Sequence, residues 1–120
     1  MTRIDTNYII RYFINDNVEM ANIAEKVLST QDVFIANEII AEVIYVLEGV
    51  YEVSKENIVD LLLELIDFEN VYVLDEKILK KALVYFKEKN LDFVDCLLCA
   101  YSQKDEILTF DKKLKKCINS

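Results

Sequence analysis

Apolar positions along this chain follow two rhythms. Short runs rich in β-branched residues, at 2–4 (TRI), 33–36 (VFIA), 71–74 (VYVL) and 106–110 (EILTF), read as strands. Between them, apolar residues recur every three or four positions, the spacing of one helix face. That spacing predicts a helix over 6–15 with Ile9, Ile10, Phe13 and Ile14 on one face. A second, over 18–30, carries Met20, Ile23, Ala24, Val27 and Leu28. Further helices are expected at about 38–51 and 55–67, with Asn37 and Ser54 as N-caps. Asp75 starts a fifth helix, which Asn90 ends; others cover about 93–104 and 112–119. Four short strands separated by helices predict an α/β fold with a parallel sheet covered on both faces. No linker or internal repeat interrupts the 120 residues, so one domain is expected over 1–120.

Composition removes much of the catalytic repertoire. With no histidine, serine–histidine–aspartate triads, cysteine–histidine pairs and histidine-bound zinc are all excluded. A single glycine, Gly49, rules out glycine-rich phosphate loops. The net charge of −8 argues against a general nucleic-acid coat. It does not argue against a nuclease whose carboxylates bind divalent cations and change sign when loaded. No run approaches the ~18 apolar residues of a membrane span, and MTRIDTNYII does not read as a signal peptide, so the cytoplasm is the expected compartment. Three cysteines in such a chain read as reduced thiols.

The remaining chemistry lies in acids at the ends of elements. Ligands of open parallel sheets bind beyond the carboxyl ends of strands. Asp5 follows the first strand in I-D-T-N, and Thr109 and Asp111 close the fourth in I-L-T-F-D; the two acids converge if those strands are neighbours. Glu42 sits in EIIAEVIYVL, where apolar residues leave little polar face. There it is either a costly isolated charge or part of a solvated stripe at 38, 42, 45 and 49. In LDFVDCLLCA, Asp92 and Asp95 are spaced like a capping box at the start of an apolar helix. Carboxylates without histidine suit hard cations such as Mg2+ or Mn2+, which can activate water toward a phosphodiester.

Taken together, these stretches resemble the PIN-domain ribonucleases, and specifically the VapC-type toxins of toxin–antitoxin pairs. The resemblance rests on I-D-T-N, I-I-A-E-V-I-Y-V-L, L-D-F-V-D-C-L-L-C-A and L-T-F-D-K-K-L, in that order. It implies a three-layer α/β/α sandwich around a parallel sheet of four or five strands. It further implies metal-binding catalytic acids at Asp5, Glu42, Asp95 and Asp111, supported by Asn7, Asp92 and Thr109. Asp92 keeps its helix cap in this reading, whereas Asp95, one turn inside, joins the metal site. The implied activity is Mg2+- or Mn2+-dependent cleavage of a structured RNA such as tRNA or rRNA. The implied partners are a second copy of the chain and a small antitoxin, with DNA reached only through that antitoxin. The chain departs from the pattern in carrying Cys96 and Cys99 where alanine is usual, and in ending soon after Asp111, which leaves the fifth strand short or missing.

Other readings stay open beside this one. Cys96-Leu-Leu-Cys99 is a CxxC, either redox-active or two small buried hydrophobes. The lysines after Asp111 either decorate a solvated helix end or steer phosphate, with Lys112, Lys113 and, one turn after Asn7, Arg11 as substrate-binding candidates. Two rival functions are a PIN fold retained as a non-catalytic scaffold and a receiver-like phosphoryl-transfer domain. The latter lacks the paired acids after strand 1.

Overall fold

A computed structural model describes all 120 residues, which divide into two compact units, Met1–Leu74 and Asp75–Ser120. In the first, β1 (Thr2–Arg3), β2 (Val33–Phe34) and β3 (Val71–Tyr72) form a parallel sheet in the order β1-β2-β3. Thr2 and Arg3 pair with Val33 and Phe34, which pair in turn with Val71 and Tyr72. Asn70 anchors the β3 end: its side-chain amide donates to the Leu28 carbonyl and, at 2.7 Å, to that of Gln31. Helices α1 (Thr6–Ile14) and α2 (Val18–Thr30) pack together, and α1 also packs on α3 (Asn37–Gly49). The last helix of this unit, α4 (Lys55–Ile66), packs on α3 and β3.

The ladders are only two residues long, so helix faces supply most of the buried surface. Ile9, Ile40, Val43, Leu47, Ile58 and Leu62 are fully buried. Each such side chain contributes about 1.5–3 kcal/mol by leaving water.

The second unit is helical: α5 (Glu76–Glu88), α6 (Phe93–Tyr101) and α7 (Lys112–Ile118). Helix α6 packs on both its neighbours, with Phe86 and Phe93 meeting edge to face at 6.2 Å. A Cys99–Cys117 disulfide, with Cα atoms 6.1 Å apart, joins α6 to α7. This corrects the expectation of three reduced thiols. Packing puts Cys117 opposite Cys99 across 18 residues, a proximity that no local spacing announces. The CxxC partner Cys96 lies outside the bond and is buried, as is Cys99.

The sheet has three strands, not four or five. Residues 106–110 keep the alternation of an extended chain, with Ile107 and Thr109 half-buried and Leu108 and Phe110 exposed, but they join no ladder. A strand exists only through a partner's hydrogen bonds, and the apolar run fixed the conformation without providing one. Helix α6 ends at Tyr101 rather than 104, and α5 ends at Glu88 with Lys89 as its C-cap instead of Asn90. The third helix begins one residue early, so Ala36 occupies the N-cap and makes no side-chain bond. The other six helices carry side-chain caps, those at Ser54, Asp75 and Asp92 as the sequence suggests. Asp5, Asn17, Ser54, Asp75, Asp92 and Asp111 each accept the backbone N–H three residues on, at 2.9–3.2 Å.

Candidate active site

Three of the sequence-assigned acids belong to the second unit, and their helix starts explain why Asp92 and Asp111 lie near enough to Asp95 to act on its charge. Asp92 caps α6 by accepting the Asp95 N–H at 2.9 Å, and Asp111 caps α7 by accepting the Leu114 N–H at 2.9 Å. The Thr109 hydroxyl accepts the Asp111 N–H at 3.0 Å and so fixes the backbone entering α7. Each cap uses one carboxylate oxygen. Asp95 lies in the first turn of α6, half-buried, and its carboxylate has neither a hydrogen bond nor an ion-pair partner. Burial pushes its pKa above the ordinary value of 3.8, and the nearby charges of Asp92 and Asp111 push in the same direction. The capping-box spacing is thus half realised: Asp92 caps, and Asp95 is an acid held among acids.

The first unit carries the others. Asp5 caps α1 through the Tyr8 N–H at 3.1 Å and is exposed, as is Asn7. Asp5 lines a groove of about 350 Å³ with Arg3, Ile4, Phe34, Ala36, Glu38 and Ile39. Glu42 lies one turn further along α3, outside that lining and exposed. Glu38, Glu42, Tyr45 and Gly49 are all exposed, so the solvated-stripe reading of this face is the correct one and Glu42 carries no burial penalty. Glu38, which the sequence placed only on that stripe, lines the groove beside Asp5. Its available signal was its position in the first turn of α3, four residues beyond β2, at the end of the strand where the parallel-sheet rule puts ligand-facing groups. Two buried polar atoms at the same helix starts have no partner: Thr6 Oγ1, next to Asp5, and Asn37 Oδ1, next to Glu38.

Among the basic candidates, Arg11 is ion-paired with Asp16 at 2.7 Å, whereas Lys112 and Lys113 are exposed and unpaired. All the acids offer oxygen donors of the kind Mg2+ and Mn2+ prefer, and the repulsion felt by Asp95 is what a cation relieves. By chemistry, then, the donors fit. By spacing, no three acidic or cysteine side chains are gathered tightly enough to hold an ion unaided.

Comparison with known proteins gives the class. The PIN domain family model matches residues 3–117, and the chain belongs to that family. PIN domains are generally nucleases that use divalent metals, and the matched segment includes every acid described above. No curated protein and no solved structure gave a match. No helix is long and apolar enough to cross a membrane.

Proposed function

We propose that this chain is a divalent-metal-dependent endoribonuclease and the toxin of a toxin–antitoxin pair. Asp5, Glu42, Asp95 and Asp111 are its metal-binding carboxylates. The observation that carries this reading is Asp95, an unpartnered half-buried acid in the first turn of α6, whose proton affinity is raised first by burial and then by the charges of Asp92 and Asp111. An acid held near two like charges is stabilised in its ionised form when a cation binds among them, and that supports the reading. A bound divalent ion supplies Lewis acidity toward a phosphodiester and its attacking water. The chain's own residues prepare for it. Asp111 is aimed by the Thr109 hydroxyl, Asp92 and Asp111 each keep an oxygen free of their caps, and Lys112 and Lys113 attract phosphate. Glu38 joins Asp5 on the first unit's groove.

The accompanying assignments are a single catalytic domain over 1–120, a structured RNA substrate such as tRNA or rRNA, and action in the cytoplasm. We further propose a homodimer and a small antitoxin that suppresses activity and supplies any contact with DNA. The test is cleavage of tRNA and rRNA by the purified chain with Mn2+ or Mg2+, alongside calorimetric titration of Mn2+. Asp5→Asn and Asp95→Asn should abolish cleavage and weaken Mn2+ binding while leaving the circular dichroism spectrum unchanged. Full activity in either folded variant would sink the assignment. A non-catalytic scaffold is favoured by one observation, the absence of three gathered donors. Mn2+ binding without cleavage of any RNA would decide for it.

A further inference from the structure

The overall charge hides a strong asymmetry. Residues 1–74 hold four Lys and Arg against fourteen Asp and Glu, a net of −10; residues 75–120 hold ten against eight, a net of +2. Setting aside the acid group Asp92, Asp95 and Asp111, the second unit has ten lysines against five acids. Two of those five, Asp75 and Glu76, are already paired with Lys104 and Lys80.

Part of this surplus is gathered in a groove of about 380 Å³ in the second unit. Lys89, Asn90 and Leu91, at the end of α5, form one wall, and Lys113, Lys116, Cys117 and Ser120, on and after α7, form the other. No acid lines it, and none of its three lysines is ion-paired. The Lys89 ammonium rests over the Tyr85 ring, 5.5 Å from its centre, a cation–π contact that positions the ammonium without neutralising its charge. Lys113 and Lys116 stand one turn apart on α7, with Cβ atoms about 5–6 Å apart, so both reach along one strand of phosphates. The Cys99–Cys117 bond fixes the α7 wall. Asn90 adds a neutral hydrogen-bonding group suited to phosphate and sugar oxygens, while the Ser120 hydroxyl donates to the Cys117 carbonyl at 2.7 Å. The first wall continues directly into Asp92.

We propose that this groove binds the phosphodiester backbone of RNA, through Lys89, Lys113 and Lys116, as a site separate from the metal-binding acids. The proposal rests on the nuclease reading for its choice of polyanion. The competing account is that these lysines only complement the carboxyl ends of α5 and α7. That account predicts lost stability on their removal and no change in RNA binding.

The test measures fluorescence anisotropy of a labelled single-stranded 20-nucleotide RNA, without metal and with chelator, from low salt to 1 M. The parent is compared with the triple variant Lys89→Gln/Lys113→Gln/Lys116→Gln. A control, Lys77→Gln/Lys87→Gln/Lys115→Gln, removes the same charge from the same unit outside the groove. Three backbone contacts at roughly 0.7 ions each predict a salt slope shallower by about 2 in the groove variant and affinity about 50-fold weaker at 0.15 M. The control should lose far less.

Equal losses in the two variants overturn the groove. So does a loss of thermal stability with unchanged binding, or a polyglutamate peptide of matched charge that competes as well as RNA. The single charge reversal Lys116→Glu gives the same reading should the triple variant fold poorly. Cleavage by the parent, measured separately with Mn2+, keeps the two readings distinct. Groove-dependent binding without cleavage leaves this inference standing and removes the nuclease.

Discussion

Opening the Cys99–Cys117 bond tests the packing of the second unit directly. The bond closes a loop of 18 residues that contains the end of α6, the unpaired segment 106–110 and most of α7. Freeing a loop of that length returns about 11 cal/mol/K to the unfolded chain, or about 3 kcal/mol at 25 °C. Cys99 and Cys117 are both buried in the helix interface, so reduction also leaves two thiols where a compact bridge stood. At a urea m-value of roughly 1.5 kcal/mol/M, the midpoint should fall by about 2 M on adding dithiothreitol. Melting should fall by about 12 °C, taking roughly 4 °C per kcal/mol for a chain of this size. Cys117→Ala should reproduce the loss and abolish the response to reductant. Cys96→Ala should keep the response, because Cys96 is outside the bond. A reductant effect below about 0.5 kcal/mol, or one retained in Cys117→Ala, would refute the reasoning, since either result means the bond is not what holds α7 to α6.

Asp111 combines two roles that separate by substitution. Asp111→Ala should cost about 1 kcal/mol in urea unfolding by losing the α7 cap, and Asp111→Asn should recover that stability while RNA cleavage stays lost in both. Asp95 sets a pH signature. Its pKa is raised on folding, so the native state holds the proton more tightly and stability falls as pH rises from the unfolded value, near 3.8, through the higher folded one. Asp95→Asn should therefore gain stability relative to the parent at pH 7 and lose that advantage by pH 3, by urea midpoints; an advantage independent of pH would contradict the cause given. Glu52 adopts φ 54°, a left-handed backbone that favours glycine. Glu52→Gly should raise stability by about 0.5–1 kcal/mol in the same assay, after the larger unfolded-state entropy of glycine is subtracted.

The local code of this chain is legible residue by residue. Helix positions follow from apolar spacing, and six of seven starts carry the cap their side chains invite, because both are decided within one or two turns of chain. The chemistry was legible for the same reason: an absence of histidine and an ordered set of acid motifs need no tertiary knowledge. What the sequence alone left undecided all depends on distant neighbours. EILTF reads as a strand, yet Leu108 and Phe110 face solvent because no ladder receives them. Glu42 reads either as a stranded charge or as part of a solvated stripe, and only the packing of α3 decides that this face meets water and that Glu38 lines the groove of Asp5. Cys117 reads as a lone thiol until α7 docks on α6 and sets it against Cys99. Pairing, exposure and cross-links are relations between surfaces far apart in sequence, so only the packed chain fixes them.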